Sequence, residues 1–208
     1  MFWEDKDKNI AIQIMVHFVE GRIDILHFKD SFCNNSAIQT ILDKHCRKQD
    51  NIRYGREVIP FLKKLNVLSA INASFAFHTV RLCLEQDGIP FVATTFYDER
   101  LFFILDILPS WLNMQDETFI ESEIINKIPA ELKSKTARVK WCKERIKQFF
   151  RYDKTPPRWA QHSEWPIGKN GMPMVFKKQS KEDKNSELVK YYFYDPETNE
   201  EHTVEQFY

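Results

Sequence analysis

Glycine is scarce in this chain: five residues in 208, at positions 21, 55, 88, 168 and 171, with no two adjacent. A phosphate-cradling loop of the G-x-x-x-x-G-K-[ST] or G-x-G-x-x-G kind has nowhere to form, because those loops need glycines to bring backbone N–H groups onto the ligand. G-x-S-x-G and H-E-x-x-H are also missing, which removes the common hydrolase and zinc-protease signatures. No excess of either charge exists, with 30 cationic against 30 anionic side chains, so no overall field draws nucleic acid or an anionic membrane. The longest apolar stretches, such as Leu101–Leu105, fall far short of a spanning helix, and no membrane association is expected. Cysteine pairs are lacking too. Cys33, Cys46, Cys83 and Cys142 are far apart, and no apolar leader precedes the charged cluster at Glu4–Lys8. The expectation is a cytoplasmic protein with reduced thiols. Ligand spacing for a metal is poor: His45 and Cys46 are adjacent and diverge on a helix, while His78 and Cys83 are five apart. No metal or other cofactor is expected.

What the chain does have is apolar and aromatic material. Hydrophobic residues make up 43% and aromatic residues 14% of it, enough for one domain with a smaller appended module. Ile10, Ile12, Ile14, Val16 and Phe18 alternate with Ala11, Gln13, Met15 and His17. Glu20-Gly21 then offers a turn, and Ile23–Phe28 a return strand, so the pattern predicts an N-terminal β-hairpin with His17 and His27 on neighbouring strands. The middle reads as helical. Asn34, Asn35 or Ser36 can cap a helix carrying Ile38, Ile41, Leu42 and His45. Val58, Phe61, Leu62 and Leu65 repeat the spacing, and so do Ile71, Phe75, His78 and Leu82 before Gly88 stops the run. Phe91–Phe96 and Leu101–Leu108 flank Tyr97-Asp98-Glu99-Arg100 and predict a second hairpin ended by Pro109, although a buried helix gives the same short apolar run.

Two oppositely charged segments follow. Asp116, Glu117, Glu121, Glu123 and Glu131 against Lys127 give 114–131 a net charge of −4, and 133–158 carries +8. Within the second, Val139, Cys142, Ile146 and Phe149 recur at helical steps, which predicts a helix docked by an apolar stripe with cationic flanks. Arg138, Lys140, Lys143, Arg145, Lys147 and Arg151 are candidate polyanion contacts. A solvated face answering the preceding acidic segment is the simpler account of them, and a balanced net charge without an accompanying recognition motif makes nucleic acid the second choice of partner.

After Asp153 the pattern changes. Thr155-Pro156-Pro157 reads as a stiff linker, Asn170-Gly171 as a hairpin turn, and Lys181–Glu187 as a solvated loop. Tyr191–Asp195 and His202–Tyr208 read as strands joined at Pro196–Asn199. The predicted class is therefore α+β: a domain over 1–153 and a small β module over 154–208 packed on it. In the module, Gln161 and Gln179 can offer amide donors and acceptors to backbone that a small irregular sheet leaves unpaired. Trp and Pro can replace core volume that some fifty residues otherwise lack. The functional alternative is that Trp159, Gln161, Trp165, Phe176, Tyr192 and Tyr194 present an aromatic contact surface to another protein.

The series Pro157, Trp159, Gln161, Glu164, Trp165 and Pro166, then Gly171, Pro173, Met174, Phe176 and Gln179, then Tyr191, Phe193 and Asp195 resembles the modules of YwqG-like bacterial proteins. The resemblance covers about residues 155–208. It implies a role such as inhibition of, or immunity to, a toxin domain, and the cysteine pairs that some such modules carry are absent. A catalytic reading needs Cys33 or Cys46 to meet a histidine in space, whereas Cys46, Cys83 and Cys142 suit small core positions on helices. The expected function is non-enzymatic protein binding, with nucleic-acid binding by the 138–151 helix as the alternative.

Overall fold

The computed structural model describes residues 2–46, 58–181 and 187–208. Over these the chain is α+β, with eight α-helices followed by a three-stranded antiparallel sheet. It divides into two compact units, Met1–Phe102 and Phe103–Tyr208.

The first unit contains α1 (Phe2–Val19), α2 (Ile25–Asn34), α3 (Ser36–Cys46), α4 (Val58–Lys63), α5 (Ala70–Gln86) and the start of α6 (Phe96–Ile107). The expected N-terminal hairpin is instead the α1–α2 pair. Nearly every position from Ile10 to Phe18 is apolar, so a period of two can be picked from a run whose buried members, Ala11, Met15, Phe18 and Val19, follow helical spacing. Gly21, read as a hairpin turn, is a helix stop. Its φ of +74° lets the N–H groups of Gly21 and Arg22 return to the Phe18 and His17 carbonyls at 3.0 and 2.8 Å. Asp24 then caps α2 by accepting from the His27 N–H at 2.8 Å. His17 and His27 accordingly sit on two helices and not on neighbouring strands.

Asn35 caps α3 as expected, its Oδ1 accepting from the Ala37 and Ile38 N–H groups at 2.9 and 3.3 Å. The second predicted hairpin is also overturned: residues 89–95 have no regular secondary structure, and 96–107 are α6. Asp98 and Glu99, read as turn residues, lie in its first turn, where carboxylates suit the positive end of the helix. On α5 the expected inner stripe is the outer one. Ala73, Ala76, Phe77, Val80, Cys83 and Leu84 are buried while Ile71 and Leu82 are 38% and 40% exposed. The helix is apolar nearly all round, and the small Ala73 and Ala76 side let it pack against α1. Phe18, stacked on Phe28 at 4.2 Å between ring centres, anchors this core with Phe77 and Tyr97 around it.

The second unit contains the end of α6, α7 (Glu117–Glu123), α8 (Lys135–Phe149) and strands β1 (Val175–Lys181), β2 (Leu188–Tyr194) and β3 (Glu201–Phe207), in sheet order β1-β2-β3. Cys142 and Ile146 bury α8 on the expected stripe. One apolar core joins Ile107, Ile120, Ile124, Ile146 and Phe150 to Trp165, Met174, Phe176, Tyr191, Phe193 and Val204. The division between units therefore falls at Phe102/Phe103 rather than at 153/154, because the sheet has only one inner face and the helices of 103–150 cover it. The Thr155-Pro156-Pro157 segment lies along this unit and does not space it from another, with Pro157 buried. The Asn170-Gly171 turn is present, closed by the Gly168 N–H on the Met172 carbonyl at 2.8 Å. It joins a single bridge, Ile167 to Pro173, instead of two strands. Most of the loop expected at Lys181–Glu187 lies outside the described residues.

Candidate functional site

The stretch Arg158–Ser163 has no regular secondary structure, so its backbone groups need partners from elsewhere. Side chains of the sheet supply them. Arg158 N–H donates to Gln179 Oε1 at 2.8 Å. The Tyr191 hydroxyl accepts from Ala160 N–H at 2.7 Å and donates to the Arg158 carbonyl at 2.9 Å. Gln206 does the same one step along: its Oε1 accepts from Gln161 N–H at 3.2 Å and its Nε2 donates to the His162 carbonyl at 2.7 Å. Gln161 Nε2 closes the clasp on the Phe207 carbonyl at 2.9 Å. Gln161 and Gln179 are thus used on backbone as their chemistry predicts. Gln206 went unread in the sequence, though it alternates with Val204 on the inward face of β3, the one signal that pointed to it.

The aromatic candidates separate into three groups. Trp165 and Phe176 are 5% and 2% exposed, and the Trp165 indole N–H donates to the Met174 carbonyl at 2.7 Å. They are core and offer a partner no surface. Tyr192 and Tyr194 are half-buried on the outward face of β2, opposite Tyr191 and Phe193, with the Lys178 ammonium 5.3 Å from the Tyr192 ring centre. Trp159, half-buried, packs on Tyr191 at 4.5 Å between ring centres and donates its indole N–H to the Trp111 carbonyl at 3.0 Å. Trp111 is half-buried as well. Together Trp111, Pro156, Pro157, Arg158, Trp159 and Gln161 line a groove of about 500 Å³, with Ser110 and Thr155 exposed along it. This size lies within the range of ligand and peptide sites, about 300–1,000 Å³. The groove is lined by two indoles and by Arg158, whose guanidinium meets no carboxylate among the described residues.

The floor of the groove includes Ser163, 1% exposed, whose hydroxyl donates to Asp116 Oδ2 and accepts from Asn113 N–H at 3.0 Å. Burial pushes the Asp116 carboxyl up to about 6, against the opposing pull of its Ser163 and Asn113 hydrogen bonds. A raised carboxyl means that the folded state holds the proton more tightly than the unfolded one. The stabilisation is complete below about pH 4 and is lost as pH rises through about 6. Denaturant melts of the wild-type protein should therefore lose on the order of 3 kcal/mol from this group between those limits, and Asp116→Asn should flatten that slope. An unchanged slope in the variant would remove Asp116 as its source.

The six basic candidates also divide. Arg138 lies over the Phe103 ring at 5.2 Å, and Arg145 lies over Phe149 at 4.6 Å and Trp141 at 5.9 Å, so both guanidinium groups serve packing. Arg151 lies beyond the helix end and lines a small cavity with Asp195 and Glu197. Lys140, Lys143 and Lys147 are exposed.

Four of the six histidines lie beside carboxylates: His45 Nε2 is 3.0 Å from Asp87, His78 Nε2 2.8 Å from Asp98, His162 Nε2 2.9 Å from Glu164 and His27 Nδ1 2.7 Å from Asp24. Ser74 and His78 both engage Asp98, so that carboxylate sits between hydroxyl and imidazole instead of behind the imidazole as nucleophile activation requires. Cys33 is exposed and Cys83 and Cys142 are buried; the Cys46 side chain lies outside the described residues. Burial pushes the Cys142 thiol up to about 11, away from the reactive thiolate. Among the described residues no group of three or more His, Cys, Asp or Glu could hold a metal ion, and no helix is long and apolar enough to cross a membrane. No protein-family model, no curated protein and no solved structure matches the chain.

Proposed function

We propose that the protein is a non-enzymatic binder of another protein, and that the Trp111–Trp159 groove is its contact surface. The observation that supports this is the pair of half-exposed indoles in a groove whose backbone is already laced to the sheet. Rigid aromatic surface of this kind loses little entropy on binding. Three of the clasp side chains, Gln161, Gln179 and Tyr191, belong to the series that resembles YwqG-like modules, and that resemblance directs the reading toward an intracellular inhibitor or immunity-type protein with a toxin domain as partner. The histidine–carboxylate pairs and the raised Cys142 thiol favour binding over nucleophilic chemistry.

Ser110 and Thr155 are exposed at the groove and make none of its clasp bonds, so arginine at either position obstructs it while leaving the fold in place. Ser110→Arg and Thr155→Arg should each weaken capture of the native partner at least tenfold, measured by affinity capture and quantified by titration. Recovery of the same partner at the same strength by wild type and both variants would remove the groove as contact surface.

A further inference from the structure

The basic segment contains a feature that the groove does not use. Lys140, Lys143 and Lys147 are spaced i, i+3, i+7 and share one face of α8, spanning about 10 Å along the axis. That face lies away from Cys142 and Ile146, which bury the helix. None of the three lysines meets a carboxylate within ion-pair distance among the described residues. Two carboxylates of the acidic segment have partners elsewhere: Glu123 meets Lys127, and Asp116 meets Ser163. Lys135, at the start of the same helix, takes Asp106 at 2.7 Å. Glu144, the one carboxylate within α8, pairs with none of the row.

Three exposed ammonium groups along one helix face, with Glu144 the one carboxylate beside them, give that face a local positive potential, and a row of regularly spaced negative charges is its complement. We infer that this row is a contact for the phosphate backbone of a nucleic acid. Lysine is a flexible point charge without the planar fork that reads a guanine edge, and the two helix arginines are committed to aromatic rings. The row therefore tracks phosphates without reading sequence. This site is independent of the groove.

The test is a salt titration of the full chain with a fluorescent duplex DNA and with a single-stranded RNA of mixed sequence, starting at low salt. For the duplex, three phosphate contacts predict a slope of log affinity against log salt of about −2.7, and each of Lys140→Ala, Lys143→Ala and Lys147→Ala should reduce it by about 0.9. Alanine keeps the helix, and circular dichroism of each variant checks that it does. Affinity independent of base sequence and lost in the triple variant supports the inference. Absence of binding to either nucleic acid at about 50 mM salt, a slope unmoved in the triple variant, or equal affinity for polyglutamate would each overturn it, the last by assigning the row to an acidic protein surface.

Discussion

Trp165→Ala should unfold the second unit. The ring is 5% exposed and has Trp111, Phe150 and Phe193 centred at 5.5, 5.4 and 5.4 Å, with Phe176 at 6.5 Å. Removing a buried aromatic of this size costs about 3–5 kcal/mol. The Met174 carbonyl loses its donor at the same time, which adds about 1–3 kcal/mol where water cannot reach it. Small domains have about 5–15 kcal/mol in hand, so a combined loss of about 4–8 kcal/mol equals the whole margin at its lower end and about half of it at its upper end. Hydrogen exchange should show protection collapsing across 103–208, and Trp165→Phe, which keeps a ring without the indole donor, should fall between the two. A stability loss below about 1 kcal/mol for the alanine variant would mean that the core joining helices and sheet is not held at this point.

The second large effect is expected at a single oxygen. Tyr191→Phe preserves a ring that is fully buried and deletes only the hydroxyl that serves Ala160 N–H and Arg158 C=O. Burial raises the phenol above its usual range, so it remains protonated and able to donate. Losing it orphans a donor and an acceptor, and about 2 kcal/mol is expected because water near the exposed Arg158 relieves part of the deficit. Exchange at the Ala160 amide should accelerate tenfold or more. Trp159 packs on this same ring, so partner affinity at the groove should fall although Tyr191 is not among its lining residues. Unchanged exchange at Ala160 would show that the clasp does not restrain 158–163.

Some of this was legible in the residues. Asn35 as a cap, Gly88 as a stop, the stripe of Cys142 and Ile146, and the strands around Tyr191 and Val204 are local signals, and the structure has them. Ile10–Phe18 and Phe91–Leu108 do not declare their period, because short runs rich in apolar residues on both parities fit a strand and a helix alike. Length and capping then decide, and Asp24, Asp98 and Glu99 were helix-start residues. On α5 the periodicity identified a helix and chose the wrong face, since both faces are apolar and only packing against α1 distinguishes them.

Composition and spacing alone determined the α+β class, the lack of phosphate-loop and zinc-protease motifs, and the use of Gln161 and Gln179 on backbone, because each depends on residues near in sequence or on residue type. Tertiary structure alone decided that Trp165 is core while Trp159 edges a groove, that Gln206 laces the clasp, and that Asp116 meets Ser163 across 47 positions. Burial and pairing over such separations depend on how the chain returns on itself, which no local pattern encodes.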